Sequence, residues 1–264
     1  MNSTLEPAMR KIPLREDLKL ALYLGIAGAI ATVLLFPYLL QLMPELLAKV
    51  PAYIPLPALI AIQSTQALVI FGALAFLGLR MGHRIGLDAP WLRAVTTKSE
   101  RPSLPWRSAI ATGLLVALLI VAIDPLFAAH MPSTLSGRPQ IEPVTSAWAG
   151  FLASFYGGIA EEIQLRLFVM TFLVWLVSFI KKPVHGKIYL AAIIIAALLF
   201  GAGHLPAAAN IWPLDAVVVA RTLLLNSIAG IAFGYWYWKS GLEMAMLAHF
   251  SADLVLHVLT PLLQ

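Results

Sequence analysis

Long apolar runs are the feature that most constrains the fold of this chain. Several approach or exceed the ~20 residues that a helix needs to cross a bilayer. The apolar segments are Leu20–Leu42, Ala58–Leu79, Ala109–Ala129, Ala147–Ile180, Tyr189–Gly203, Ala216–Trp238 and Met244–Leu263. Charged residues make up only 12% of the chain, about half the fraction of a soluble domain. The sequence therefore predicts an all-α fold, a polytopic bundle of about seven transmembrane helices.

The fourth segment is too long for one straight crossing. A continuous helix over Ala147–Ile180 would be ~50 Å long, whereas the hydrocarbon core is ~30 Å thick. Gly157-Gly158 is expected to break or bend it. The segment tilts, lies along the interface or forms two elements, so eight membrane segments remain an alternative. Pro37 and Pro125 are expected at kinks or helix ends.

The cationic residues favour one orientation in the membrane. Lysines and arginines concentrate in the N-terminal arm and in the second, fourth and sixth connections, whereas the intervening connections hold only Lys49 and Arg138. This alternation predicts a cytoplasmic N-terminus, and we expect an integral protein of the bacterial inner membrane. The long first apolar run predicts no cleaved leader. The net charge of +5 is explained by lysines and arginines in cytoplasmic loops, which set the orientation in the lipid bilayer, and not by binding to nucleic acid. The absence of cysteine excludes thiol catalysis and disulfides.

The chain is expected to form one membrane domain with two functionally different parts. Residues 1–140 supply the N-terminal membrane helices and a cytoplasmic loop, and residues 141–264 supply a helical core that carries most of the intramembrane polar residues. The cationic loop from Gly82 to Arg107 contains Trp91 and Trp106, which predicts that it lies on the membrane surface. Gly230-x-x-x-Gly234 is typical of a helix-packing contact.

Charged side chains at bilayer depth mark the first candidate site. Each costs on the order of 3 kcal/mol to insert. Glu162 and Arg166 are four residues apart on one helix face, which predicts an ion pair. Adjacent residues of an α-helix diverge by ~100°, so Glu161 and Glu162 are not expected to face the same point. Glu161 is then free to face a cavity as a general base, although an ion network that only fixes helix packing is an equal alternative.

Two later segments carry histidines within apolar runs. His204 follows Phe200 by one turn, and by itself it is typical of a histidine at the membrane interface. His249, Asp253 and His257 share one helix face. The simplest interpretation is that they form polar contacts that hold neighbouring helices together. If these groups converge with the glutamates, they could form either a hydrated general-base site or a His/Glu metal site. The zinc signature His-Glu-x-x-His is absent from the sequence.

The ordered set of motifs resembles a known family. Glu161-Glu162-x-x-x-Arg166, Phe200-x-x-x-His204 and His249-x-x-x-Asp253 match, in order and in helical context, the pattern of the CAAX protease and bacteriocin-processing (CPBP, or Abi) intramembrane proteases. The resemblance covers about Ala147 to His257. It implies an intramembrane endopeptidase that hydrolyses a peptide bond in a membrane-associated peptide or protein.

The resemblance also implies roles for the individual residues. Glu161, helped by His204, would activate a water molecule, while His249 and Asp253 polarise the carbonyl or hold the oxyanion. Glu162 and Arg166 would support Glu161. An aspartate stands at position 253 where the prenyl-processing branch is better known with asparagine, which favours orienting His249 or binding metal. Both a metal-free mechanism and a divalent metal such as zinc, held by Glu161, His204 and His249, fit this pattern.

One geometric difficulty and two other functions stay open at the level of sequence. Counting 1.5 Å per residue from the flanking lysines puts His204 ~25 Å deep and His249 ~15 Å deep, which is unfavourable for a shared site.

A non-catalytic scaffold or bacteriocin-immunity binding protein is one alternative function. A proton-coupled transporter is the other, since buried Glu, Asp, Arg and His also form proton relays. The sequence leaves the substrate and the oligomeric state undetermined.

Overall fold

The computed structural model describes residues 12–42, 50–51, 53–135, 141–181 and 183–263. The described part of the chain is helical, with connecting turns and without strands. Five of the lysines and arginines that predict a cytoplasmic N-terminus lie outside these ranges, namely Arg10, Lys11, Lys49, Arg138 and Lys182.

Six described helices are long and apolar enough to cross a membrane. They are Leu14–Leu42, Leu56–Gly82, Trp106–Ala128, Gly186–Ala209, Ala216–Ser240 and Leu242–Leu262. Each contains one of the predicted apolar segments or nearly all of it, so the all-α polytopic fold is confirmed. The predicted count of seven to eight is approximate, because the long fourth segment is helical but divided.

The individual helices are labelled in chain order. The first five are α1 (Leu14–Leu42), α2 (Leu56–Gly82), α3 (Pro90–Thr97), α4 (Trp106–Ile123) and α5 (Pro125–Ala128). The fourth segment comprises α6 (Pro143–Phe155), π1 (Tyr156–Glu161), π2 (Ile163–Met170) and α7 (Thr171–Val177). The remainder comprises α8 (Gly186–Gly203), α9 (Leu205–Ala209), α10 (Ala216–Ser240), α11 (Leu242–Asp253), π3 (Leu254–Leu259) and α12 (Thr260–Leu262).

The fourth segment is not broken at Gly157-Gly158, the first of the two outcomes expected there. The helix continues through both glycines and widens into the π-helical turns of π1 and π2. In a π turn the backbone hydrogen bonds span five residues instead of four, and such turns are frequent at functional sites. Of the two prolines, Pro37 lies inside α1, and Pro125 begins α5 just after α4 ends.

The two parts of the chain pack into one bundle. The pairs in contact include α1 with α2, α1 with α6, α2 with π2, α4 with α11, α8 with α10, and α10 with α11. The glycine pair of α10 makes the predicted packing contact, because a Cβ atom on Gly230 would lie 2.9 Å from Ala197, and one on Gly234 would lie 3.1 Å from Ile193. Side chains of π1, π2 and α11 lie in the centre of the core.

The short helix α3 is fixed at the end of the bundle where α1 begins. Arg93 of α3 contacts Asp17 of α1 at 2.9 Å and Asp88 at 2.5 Å. Burial by itself lowers the pKa of Arg93, but the Asp88 and Asp17 carboxylates outweigh burial and raise that pKa above its usual value. Glu243 of α11 accepts a hydrogen bond from the backbone N–H of Leu92, 2.7 Å away. The surface helix is therefore held by both the first and the last membrane helices.

Candidate active site

The ion pair predicted from helical spacing lies at the centre of the bundle. Glu162 and Arg166 are completely buried, and Arg166 Nη1 lies 3.1 Å from Glu162 Oε1. Arg166 Nη2 also donates a hydrogen bond to the carbonyl of Gly230 at 3.0 Å. The guanidinium carbon lies 5.1 Å from the ring centre of Phe200 and 5.5 Å from that of Phe233. The carboxylate, the carbonyl and the two aromatic rings offset part of the cost of burying this cation.

The imidazole of His249 contacts one buried carboxylate and two aromatic rings. Its Nδ1 atom lies 2.8 Å from Glu162 Oε1. The Phe233 ring stacks on the imidazole at a centroid distance of 4.4 Å, and the edge of Phe200 meets it at 5.5 Å. Because one ring nitrogen is bonded to a buried carboxylate, the tautomer and orientation of the imidazole are fixed. Phe233 is not among the residues that the sequence predicts for the site. Its position between Gly230 and Gly234 of α10, at a predicted helix contact, could have indicated it.

The second nitrogen of His249 faces two further carboxylates. Nε2 lies 3.7 Å from Glu161 Oε2 and 3.6 Å from Asp253 Oδ1. These separations are longer than a direct hydrogen bond, and polar groups at such distances are commonly bridged by a water molecule or a ligand atom. The Glu161 side chain is 22% exposed, in contrast to its completely buried neighbour. Glu161 therefore has the accessibility expected of a general base.

Glu161 and Glu162 approach the same side chain, contrary to the expectation from α-helical geometry. On an α-helix they should diverge, yet both approach His249, Glu162 at Nδ1 and Glu161 at Nε2. Two features explain this convergence. The backbone here is π-helical around Glu162, and the two nitrogens of an imidazole face different directions. One histidine thus connects both carboxylates.

Gly157 allows the helices of the site to approach closely. A Cβ atom at this position would overlap Asp253 Oδ2 and would lie 3.0 Å from His249 Nε2. The sequence predicts that the Gly157-Gly158 pair breaks or bends the helix. The structure shows that its first member leaves space directly in front of the imidazole and the Asp253 carboxylate.

His204 lies beside this group and contacts it through an aromatic ring. Its Nδ1 atom lies 2.9 Å from the carbonyl oxygen of Phe200, one turn back on α8. The Phe200 ring touches both imidazoles, at 4.7 Å from His204 and 5.5 Å from His249. The two imidazoles, which the sequence places at different depths, thus both contact one phenyl ring. In the described part of the chain, His204 forms no ion pair with Glu161.

His257 extends the polar group on α11 and π3, as its spacing predicted. Its Nε2 atom lies 3.9 Å from Asp253 Oδ1, and its Nδ1 atom lies 3.5 Å from the hydroxyl of Tyr38. Tyr38 belongs to α1, and no sequence signal connects it with the later motifs. The N-terminal part of the chain therefore contributes a side chain at the margin of the site.

The His, Asp and Glu side chains of the site are also candidate metal ligands. Among the residues that the structure describes, no group of three or more His, Asp or Glu side chains is arranged to hold a metal. One nitrogen of His249 is already directed at Glu162. The metal set Glu161, His204 and His249 stays a prediction.

Comparison with known proteins identifies the segment that carries this geometry. Residues 143–255 match the family model described as type II CAAX prenyl endopeptidase Rce1-like. This segment is a domain of the CPBP (Abi) family. The resemblance seen in the three motifs is thereby confirmed, and the match contains Glu161, Glu162, Arg166, His204, His249 and Asp253. No curated protein and no solved structure matches the chain.

The family match and the apolar helices together define the protein at a coarse level. It is an integral membrane protein, and its residues 143–255 match a family of intramembrane endopeptidases. The CPBP domain begins at α6 and ends within π3, so α1 to α5 lie outside the matched segment.

Proposed function

We propose that this protein hydrolyses a peptide bond in a membrane-associated peptide or protein, at the site formed by Glu161, His204, His249 and Asp253. The observation that carries the proposal is the position of His249. Its Nδ1 atom is bonded to buried Glu162, and its Nε2 atom faces Glu161 and Asp253 across gaps of 3.7 and 3.6 Å. A fixed imidazole beside a partly exposed carboxylate is the arrangement that general acid–base hydrolysis needs.

Glu161 is the proposed general base. It takes a proton from a water molecule as the water oxygen attacks the carbonyl carbon of the substrate. His204 assists from its place behind Phe200, which leaves Nε2 available because Nδ1 is directed at the Phe200 carbonyl. After attack, Glu161 returns the proton to the amide nitrogen as the carbon–nitrogen bond breaks. The net reaction consumes one water molecule and releases a carboxylate and an amine.

His249 is the proposed stabiliser of the oxyanion. Protonated at Nε2, it donates a hydrogen bond to the negative oxygen of the tetrahedral intermediate. Asp253 as a carboxylate only accepts hydrogen bonds, so its role is to hold His249 and to balance that charge. Glu162 fixes the opposite nitrogen, and Arg166 neutralises Glu162 at 3.1 Å. All these groups stand in place before a substrate arrives, so reorganisation during the reaction is small.

We also propose an orientation and a location. Arg80, Arg84, Arg93 and Lys98 follow α2 or lie at its end, at the same end of the bundle as the start of α1. In the membrane, such basic ends usually face the cytoplasm. The N-terminus would then be cytoplasmic, and a bacterial inner membrane is the expected location.

The first experiment replaces Glu161 by Gln in the full chain, reconstituted in lipid nanodiscs, and measures cleavage of a peptide library with and without prenyl groups. Loss of the base should reduce kcat by about 10²- to 10⁴-fold. Glu142→Gln is the control, because Glu142 is an exposed carboxylate that precedes α6 and takes no part in the proposed site. Undiminished cleavage by Glu161→Gln would remove the proposed mechanism.

A further inference from the structure

A separate cavity opens beside the proposed active site, between α1 and α3. Its volume is about 580 Å³, within the range of cavities that hold small-molecule ligands. Tyr23 and Ala27 line it from α1, and Val95 lines it from α3. Ile159 of π1 and Met246 of α11 complete the lining. A space of this size with mostly apolar walls is poorly suited to water, so it favours an apolar occupant.

Two lysines line the same cavity. Lys19 and Lys98 are exposed, and in the part of the chain that the structure describes neither forms an ion pair with a carboxylate. Lys19 Nζ donates a hydrogen bond to the Thr96 carbonyl at 2.8 Å, which places its ammonium group against the end of α3. Lys98 ends α3 in the left-handed conformation, with φ of 56°. The occupant should therefore combine an apolar chain with an anionic head.

The walls of the cavity are held in place independently of any occupant. Arg93 ties α3 to Asp17 of α1 at 2.9 Å, and Glu243 ties it to α11 through the backbone of Leu92 at 2.7 Å. A preformed cavity loses little conformational freedom when a ligand binds. On the outer side, Leu18, Leu22 and Tyr23 of α1 are half exposed, which is typical of a helix face in contact with lipid.

We propose that this cavity binds one acyl chain of an anionic phospholipid, with the phosphate held by Lys19 and Lys98. The acyl chain matches the apolar walls, and the phosphate matches the positive charge of the two ammonium groups. A leaflet that borders α1 supplies such lipids directly, and basic side chains at a membrane surface attract them.

Occupation of the cavity also has a consequence for the proposed function. Met246 precedes His249 by three residues on α11, and Ile159 precedes Glu161 by two residues on π1. An acyl chain against Met246 and Ile159 therefore packs against the segments that position both groups. Anionic lipid should increase the rate of peptide cleavage, and this last step alone rests on the proposed function.

The test uses the full-length protein in nanodiscs of phosphatidylcholine with or without phosphatidylglycerol. Native mass spectrometry counts the retained phosphatidylglycerol, and a cleavage assay follows in the same nanodiscs. The charge variant is Lys19→Gln with Lys98→Asn, since Gln keeps a donor for Thr96 and Asn tolerates the left-handed backbone. The cavity variant is Ala27→Phe, which fills the apolar space. Lys187→Gln and Ile30→Phe are the matched controls, because both positions are exposed and outside the cavity.

The wild type should retain phosphatidylglycerol in preference to phosphatidylcholine. The charge variant should lower this preference by roughly tenfold, because each lysine near the surface contributes several-fold. Ala27→Phe should abolish retention, and both controls should behave as wild type. Equal retention in the wild type and in both variants would overturn the proposal, as would a cavity variant that changes only KM for the peptide. Retention counted by mass does not require catalysis, so an inactive protein that still selects phosphatidylglycerol overturns only the proposed function.

Discussion

His249 Nδ1 and Glu162 Oε1 lie 2.8 Å apart, although 87 residues separate them in the chain. The Glu162 side chain is completely buried, and it also contacts Arg166 at 3.1 Å. One carboxylate thus neutralises a buried cation and orients the imidazole of the proposed active site. Stability and activity should therefore both depend on Glu162, but through different partners.

Glu162→Gln is expected to reduce both properties. Removal of one member of a buried ion pair leaves the other uncompensated, which costs about 3–5 kcal/mol. Activity should fall as well, because His249 loses the charge that fixes it. Thermal unfolding in detergent measures the first effect, and peptide cleavage in nanodiscs measures the second.

A double variant separates the two effects. Glu162→Gln with Arg166→Met removes both charges and keeps a side chain of similar length, so most of the lost stability should return. Cleavage should stay low, because no carboxylate then holds the Nδ1 atom of His249. Recovery of activity together with stability would show that Glu162 acts only through Arg166.

The sequence predicts those parts of the structure that depend on local spacing. Apolar runs located the membrane helices, and the four-residue interval located the Glu162–Arg166 pair, because both patterns are consequences of helix geometry. The bond between His249 and Glu162 depends on the packing of two distant helices, and no interval in the sequence encodes it. The approach of Glu161 to the same imidazole depends in addition on π-helical turns, which break the α-helical count.

Gly157→Ala is expected to reduce cleavage by about tenfold or more while the protein stays folded. The added methyl group would overlap Asp253 Oδ2 and lie 3.0 Å from His249 Nε2. Since a misplacement of about 1 Å can cost 10²-fold in rate, the site should respond strongly to this change. Gly72→Ala is the matched control within α2, because its nearest neighbour would lie 3.8 Å from the new carbon. Equal cleavage rates for the two variants would contradict this account of Gly157.

Removal of metal ions is expected to leave cleavage unchanged. In the proposed mechanism Glu161 takes the proton from water directly, so that mechanism needs no metal ion. The assay compares protein before and after dialysis against a strong chelator, and mass spectrometry of the elements follows the metal content. Loss of activity that one equivalent of zinc restores would instead support Glu161, His204 and His249 as metal ligands.

His204→Ala should lower kcat by on the order of 100-fold and leave KM nearly unchanged, if this imidazole assists Glu161 in activating water. The loss of stability should be small, because His204 is only partly buried and its Nδ1 atom is directed at a carbonyl of its own helix. His185→Ala is the matched control, since His185 is exposed and precedes the other end of α8. Steady-state kinetics and thermal unfolding on the same preparations distinguish the two contributions. An unchanged kcat in His204→Ala would assign water activation to Glu161 alone, and His204 would then be only a packing partner of Phe200.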